Sequence, residues 1–280
     1  MAIGFGHINI FKWFEQSKYK IRYTEWAVEI ASKKGYVHVL DWLSKSKYEF
    51  KYNEAAIDAA SSKGHISVLE WFDKSPYEFK YTTEAIYGAS GGGHINILEW
   101  FDKSKYKFNC DIIALMLAAT NGQIHILEWF DKSKYKMDYD GMDYAIDYAK
   151  NTDVLDWFER ACPKNKFKYS KQAINNAVLN SRISILDWFD KSKYKFKYDK
   201  WAITYAAEIG NIEVLDWFDK SKYEFKYDKE AINTAAKFGN VNVLDWFYKS
   251  KYEFKYSNSA IRWATKNNHQ NVLEWFKTYI

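Results

Sequence analysis

The chain has 280 residues, of which 20% are aromatic, and a nearly balanced charge of 41 basic against 36 acidic residues. This balance argues against a dedicated nucleic-acid binder, and no apolar stretch approaches the ~18 residues that a membrane helix needs. The two cysteines, Cys110 and Cys162, have no metal-type spacing and are too few for a disulfide framework. We therefore expect a protein that is intracellular and not secreted, with no metal, no cofactor and no membrane segment.

Tryptophan recurs at a nearly constant interval along the chain. The positions are Trp13, Trp42, Trp71, Trp100, Trp129, Trp157, Trp188, Trp217, Trp246 and Trp275. Most steps are 29 residues, with one of 28 and one of 31. A fixed period of this size indicates stacked supersecondary repeats, each too small to fold alone. Large rings at repeated positions are expected to be buried. We therefore predict a structural core formed by Trp42, Trp71, Trp100, Trp129, Trp157, Trp188, Trp217 and Trp246.

One repeat can be read in chain order. Residues 223–227 alternate aromatic and charged side chains, a pattern that favours an extended connector. Asp228 is a typical helix N-cap, and an alanine-rich first helix follows through residues 230–236. Gly239 suits the left-handed position that ends a helix. A second helix, apolar around most of its circumference, follows through residues 241–247.

The N-cap position carries a capping residue in the other repeats as well. These residues are Thr24, Asn53, Thr82, Asp111, Asp140, Ser170, Asp199 and Ser257. Ser, Thr, Asn and Asp side chains accept hydrogen bonds from the first-turn amides. The start of each first helix is therefore predicted at these positions.

The segment from Ala56 to Phe72 resembles an ankyrin repeat in its Ala-Ala pair, its Gly64-His65 turn and the apolar pairs of its second helix. Together with Lys/Tyr-rich connectors and the Trp-Phe ending, it is similar to the divergent ankyrin proteins of giant DNA viruses of the mimivirus type. The repeat is shorter than the ~33 residues of ankyrin, and the helix-opening Thr-Pro-Leu-His is absent. The resemblance implies an all-α solenoid of about ten 29-residue helix-turn-helix repeats. Its connectors would be short and extended, with reduced or absent β-hairpins.

We expect residues 1–280 to form one repeat domain, with an irregular repeat around residues 140–168. A 28-residue step lies there beside a 31-residue step, and the turn glycine is missing. The irregularity fits a hinge or docking loop, and it also fits neutral drift in a tolerant connector. Both chain ends lack the polar capping repeats of most solenoids. They fit stacking on a neighbour, and they equally fit a fragment of a longer protein.

No grouping of residues indicates catalysis or metal binding. The acidic residue beside each tryptophan belongs to the repeat, and the Gly-His turns fit a structural role. No Ser/His/Asp set, phosphate-binding loop or Cys/His cluster occurs in the sequence. We therefore do not expect an enzyme.

Positions that vary from repeat to repeat are the candidates for partner recognition. The first row, after the isoleucine of the first helix, holds Glu29, Asp58, Tyr87, Met116, Asn175, Thr204, Asn233 and Arg262. The second row, near the end of that helix, includes Lys33, Glu208, Lys237 and Lys266. In ankyrin-like stacks the first helices line the concave side. The resemblance therefore implies that these rows bind a partner protein.

The resemblance implies a scaffold or adaptor for protein–protein interaction, a viral or intracellular effector acting in the host cytoplasm or virion. One alternative is a structural component of a virion or large assembly, built by self-stacking through the uncapped ends. Another is nucleic-acid binding along a lysine–aromatic edge in the connectors, because lysine with stacking aromatics also suits single strands. Near-balanced charge makes the last alternative the weakest. The sequence leaves the identity of the partner open.

Overall fold

The computed structural model describes residues 6–17, 23–135, 141–163 and 166–280, and within them the fold is all-helical, without a β-strand. The first helices are α1 (Ile8–Gln16), α2 (Glu25–Lys33), α3 (Val37–Lys45), α4 (Ala55–Ser62), α5 (Ile66–Lys74), α6 (Glu84–Gly92), α7 (Ile95–Lys103), α8 (Ile112–Asn121) and α9 (Ile124–Lys132). Then follow α10 (Asp143–Asp147), α11 (Thr152–Ala161), α12 (Gln172–Leu179), α13 (Ile183–Lys191), α14 (Lys200–Ile209) and α15 (Ile212–Lys220). The last are α16 (Lys229–Phe238), α17 (Val241–Lys249), α18 (Asn258–Lys266) and α19 (Gln270–Tyr279). The all-α prediction is confirmed.

Contacts divide the chain into two compact units. Unit 1 comprises Met1–Ala145 and Asp153–Phe167, and unit 2 comprises Ile146–Thr152 and Lys168–Ile280. In unit 1 the even-numbered helices α2, α4, α6 and α8 pack on one another in chain order, and each also packs on the helix that follows it. Helices α12, α14, α16 and α18 of unit 2 are arranged in the same way. A single domain over residues 1–280 stays a prediction.

The predicted ends of α8 and α16 agree with the structure. Asp228 accepts a hydrogen bond from the Glu230 amide at 3.0 Å, and Asp111 accepts one from Ile113 at 2.8 Å. Asp140 lies outside the described residues. Gly239 has a φ of +79°, in the left-handed region, and ends α16. The aspartate and the glycine thus bound α16 as the repeat pattern predicts. At α4, α6 and α12 the N-cap lies one residue later than predicted, at Glu54, Thr83 and Lys171, and α12 and α18 end without a glycine.

The tryptophans are not the deepest part of the core, contrary to the sequence prediction. Of the predicted set, Trp157 is buried (2% exposed). The others, Trp42, Trp71, Trp100, Trp129, Trp188, Trp217 and Trp246, are half-buried. Instead, the phenylalanine after the tryptophan is fully enclosed, as at Phe218 (1% exposed) and Phe247.

A half-buried tryptophan has a definite structural role in this fold. The Trp217 ring stacks on Phe196 of the preceding connector, with ring centroids 5.4 Å apart. Its indole Nε1 donates a hydrogen bond to Asp187 at 2.7 Å. Phe196 also stacks on Tyr223 at 4.1 Å. Because the indole N–H needs a polar partner, the ring lies at the edge of the core, against the connector.

Candidate functional site

The first variable row lies between neighbouring helices, which corrects the expectation of an exposed recognition surface. Tyr87, Asn175, Thr204 and Asn233 are buried, with exposures of 8%, 2%, 2% and 3%. Glu29, Asp58 and Met116 are partly exposed, and Arg262 is exposed. Buried side chains cannot meet a partner without separating the helices. Half of this row is therefore not a free surface.

The polar groups of this row bind the N-cap of the next first helix. Asp58 accepts hydrogen bonds from the amide and hydroxyl of Thr82, at 2.9 and 2.7 Å. Asn233 accepts from the Ser257 amide at 3.0 Å and donates to its hydroxyl at 2.9 Å. Each acceptor or donor thus matches the cap 24 residues ahead. Thr204 differs, because its hydroxyl donates to the Lys200 carbonyl oxygen of the same helix at 3.1 Å.

Two further pairs follow the same rule with an aspartate as the cap. The Tyr87 hydroxyl donates to Asp111 at 2.7 Å, and the Asn175 amide lies 3.4 Å from Asp199. A carboxylate cap accepts only, so the facing side chain must be a donor. Buried polar groups that lacked such partners would lose stability.

The irregular repeat contains a member of this row that the sequence analysis missed. Asp147 is 8% exposed and accepts hydrogen bonds from the amide and hydroxyl of Ser170. The Ala145-Ile146 pair before it matches the Ala-Ile pair of the other first helices. That match was the signal that could have identified it.

The second variable row lies on an accessible face of the first helices. Lys33 and Lys266 are exposed, and Glu208 and Lys237 are half-buried. These positions are near the helix C-termini. The structure therefore leaves them available for contact with a partner.

Unit 2 carries large apolar side chains on this same face, which we call the aromatic strip: Trp201, Tyr205, Ile209, Phe238 and Trp263. Trp201, Ile209 and Phe238 are 42%, 38% and 43% exposed, and the other two are partly exposed. Trp201 and Tyr205 lie one turn apart on α14, with ring centroids 6.0 Å apart. Sequence reasoning missed the strip, although large rings at positions where α4 has Ala59 and α6 has Gly88 were a visible signal.

Three cations surround Trp263. Lys237 Nζ lies 5.6 Å from the centroid of its ring, Arg262 Cζ lies 5.5 Å from it, and Lys266 Nζ lies 5.1 Å from it. Lys237 is also 4.9 Å from the Phe238 ring. Such distances are within the range of cation–π attraction. The α18 end of the strip is therefore both aromatic and positively charged.

Four lysines of the connectors are, in contrast, neutralised by an aspartate of the preceding helix pair. Lys105 lies 3.0 Å from Asp73 and Lys222 lies 2.8 Å from Asp190; Lys134 and Lys251 have the same arrangement. The hydrogen bonds from Lys105 and Tyr106 hold the pKa of the Asp73 carboxyl below its usual range. The connector edge thus has paired charges and tyrosine rings already engaged within the fold.

The two cysteines carry free thiols. Burial raises the pKa of both thiols, Cys110 and Cys162, to about 11, so both are protonated at neutral pH.

Across the described part of the chain, no three His, Cys, Asp or Glu side chains are grouped to hold a metal ion. None of the described helices is long and apolar enough to span a membrane.

Comparison with known proteins assigns no family to this arrangement. No protein-family model matches the chain, and no curated protein matches it significantly. The site is therefore interpreted from its geometry.

Proposed function

We propose that this protein is an ankyrin-like repeat scaffold that binds another protein through the aromatic strip of unit 2. The exposure of Trp201 and Phe238, at 42% and 43%, carries this proposal. Exposed rings gain little from folding because much of their surface stays in water. Aromatic side chains grouped on an accessible face are typical anchors of protein interfaces.

The ankyrin-like assignment is supported by a bond that recurs at the turns. His65 Nε2 lies 3.1 Å from the Lys33 carbonyl oxygen, and His94 Nε2 lies 3.1 Å from that of Ser62. Asn240 and His269 bind the preceding turn in the same way in unit 2. These bonds link successive helix pairs, as a solenoid requires. In the proposed role, the protein is a viral adaptor or effector in a host cell.

Nucleic-acid binding along the connectors is less well supported, because the connector lysines are paired with Asp73, Asp102, Asp190 and Asp219. Single-strand grooves combine free cations with rings that bases can stack on. No observation in the described residues favours the virion-assembly alternative over the scaffold.

Affinity capture with matched variants tests the proposal. The wild-type protein and the triple variant Trp201→Ala, Phe238→Ala, Trp263→Ala are immobilised and exposed to host extract, and captured proteins are identified by mass spectrometry. The control is Trp26→Ala, because Trp26 occupies the position of Trp201 in unit 1 and is 66% exposed. We expect a partner that is retained by wild type and by Trp26→Ala but is lost from the triple variant.

Direct measurement with purified components decides the outcome. The triple variant should weaken the affinity for the identified partner by at least about tenfold, which corresponds to about 1.4 kcal/mol. Equal binding by wild type and the triple variant would exclude the aromatic strip as the interface. Capture of nucleic acid instead, with affinity that falls steeply with salt, would replace the scaffold proposal.

A further inference from the structure

We infer that the segment recognised by the aromatic strip is a short acidic peptide with interspersed apolar residues. This inference rests on the proposed function and specifies the chemistry of the partner. It comes from the placement of unpaired cations beside exposed rings on α16 and α18.

The cations at the α18 end differ from two lysines at the starts of other first helices. Lys171 and Lys200 lie 2.6 Å from Asp199 and Asp228, the caps of the following helices. Within the described residues, Lys237, Arg262 and Lys266 form no such pair with a carboxylate; their contacts are with the Trp263 and Phe238 rings. Three like charges around one ring repel one another. A bound carboxylate would relieve that repulsion.

The rest of the aromatic strip supplies an apolar surface of matching length. Helices α14, α16 and α18 are consecutive neighbours, and packed helices are about 8–10 Å apart. The strip therefore crosses roughly 16–20 Å, which an extended peptide spans with about five or six residues. Acidic side chains would lie at Lys237 and Lys266, and apolar ones at Ile209, Phe238 and Trp201.

The charges along the strip favour a peptide over a single-stranded nucleic acid. Glu208 and Glu230 are half-buried side chains of α14 and α16, near the apolar part of the strip. A nucleic acid carries a phosphate at every nucleotide and needs a positive groove along its whole length. A peptide can place its carboxylates only where the cations are. The separated charges therefore match an acidic–apolar peptide.

Fluorescence anisotropy with defined probes tests this inference. The probe is a labelled octapeptide that alternates glutamate or aspartate with leucine or phenylalanine. Comparison probes are the same peptide with lysine at each acidic position, and a ten-nucleotide oligothymidylate. We expect the acidic peptide to bind at least about tenfold more tightly than the lysine peptide, and to weaken as salt rises because exposed charges are screened.

Charge reversal locates the binding. The double variant Lys237→Glu, Lys266→Glu should lower the affinity for the acidic peptide by at least about tenfold. Lys33→Glu is the matched control, because Lys33 is exposed at the equivalent position of α2, and it should leave the affinity unchanged. Circular dichroism of each variant reports whether the helices remain folded.

The outcomes separate this inference from the proposed function. Failure of the acidic peptide to bind, equal binding of the lysine peptide, or tighter binding of the oligothymidylate would overturn the acidic-peptide inference. If the captured partner is lost from the tryptophan triple variant but is kept by Lys237→Glu, Lys266→Glu, the scaffold function stands and this inference is wrong. If both variants lose the partner, both proposals are supported.

Discussion

The middle of unit 1 and the first helices of unit 2 have the same core but different outward faces. Phe101 in unit 1 and Phe218 in unit 2 are at most 1% exposed. At one position beside the neighbouring helix, however, α4 has Ala59 and α6 has Gly88, whereas α14 has Tyr205 and α18 has Trp263. The comparison separates what folding requires from what it leaves free.

The small residues of unit 1 have a structural cause. A Cβ placed on Gly88 would lie 2.6 Å from the Cβ of Ser62, closer than real side chains approach. Helices α4 and α6 thus pack closely at this point. In unit 2 the rings at the equivalent positions, Tyr205 and Trp263, lie partly in water. This difference is why the aromatic strip, and not the face of α4 and α6, is proposed as the interface.

The largest expected effect tests the shared core. Phe101→Ala and Phe218→Ala should each lower the free energy of unfolding by about 3–5 kcal/mol, because each empties a fully enclosed ring site. Urea denaturation followed by circular dichroism measures both. As controls, Trp100→Ala and Trp217→Ala should cost less, because these rings are half-buried. A greater loss at tryptophan than at phenylalanine would show that the core is centred on the tryptophans after all.

Much of the helical fold could be predicted from the sequence because its determinants are local and repeated. Asp228 and Gly239 act within one turn of the chain, so their roles at the ends of α16 are evident without a structure. The depth of the tryptophans was predicted wrongly. Whether Trp217 or Phe218 lies deeper depends on Phe196 and Tyr223, which pack against the Trp217 ring from neighbouring segments.

The candidate site could not be predicted because a residue can differ from repeat to repeat for two physical reasons. Neighbouring positions on an α-helix differ in direction by about 100°. Asn233 of α16 therefore faces the next helix. The following position of the repeat, which is Trp263 in α18, lies on the accessible face. A varying residue can be free, or it can be matched to a varying partner. Only the pairing of Asn233 with Ser257, 24 residues ahead, distinguishes the two.

The second prediction tests that pairing rule across the two units. Asn233→Asp should be tolerated, because aspartate accepts from the Ser257 amide and hydroxyl as Asp58 accepts from Thr82 in unit 1. Asn175→Asp should lower the free energy of unfolding by about 2–3 kcal/mol, because it replaces the amide that donates to Asp199 with a buried carboxylate that cannot donate. Equal stability of the two variants in urea denaturation would contradict the rule.

The third prediction tests the close approach in unit 1. Gly88→Ala should destabilise the protein by up to about 2 kcal/mol, because overpacking costs about 1–3 kcal/mol while alanine regains about 1 kcal/mol of helix propensity. The thermal midpoint measures the change. The double variant Ser62→Gly, Gly88→Ala removes the opposing Cβ and should recover stability relative to the two single changes added together. Additive effects would mean that the two helices do not constrain each other here.

The two units also differ, to a smaller extent, in how their stability depends on pH. Burial lowers the pKa of His94, so the fold favours its neutral form. The stability from this preference is present above the unfolded pKa of about 6.5 and is lost as pH falls through the lower folded pKa. Asn240 makes the equivalent bond in unit 2, to the Glu208 carbonyl at 2.8 Å, without titrating. His94→Asn should therefore reduce the loss of stability between pH 7.5 and about 5.5. An unchanged pH profile would assign that loss to other groups.

The smallest expected effect decides whether the outward face of unit 2 serves folding. Trp201→Ala and Phe238→Ala should each change the free energy of unfolding by less than about 1 kcal/mol, because both rings are more than two-fifths exposed and surface substitutions usually cost little. Chemical denaturation measures the change, with Trp217→Ala as a matched loss of an aromatic ring from the core edge. A cost of about 3 kcal/mol at Trp201 would mean that this ring packs into unit 2 more than its exposure indicates. The aromatic strip would then have a folding role, and the main support for an interface there would be gone.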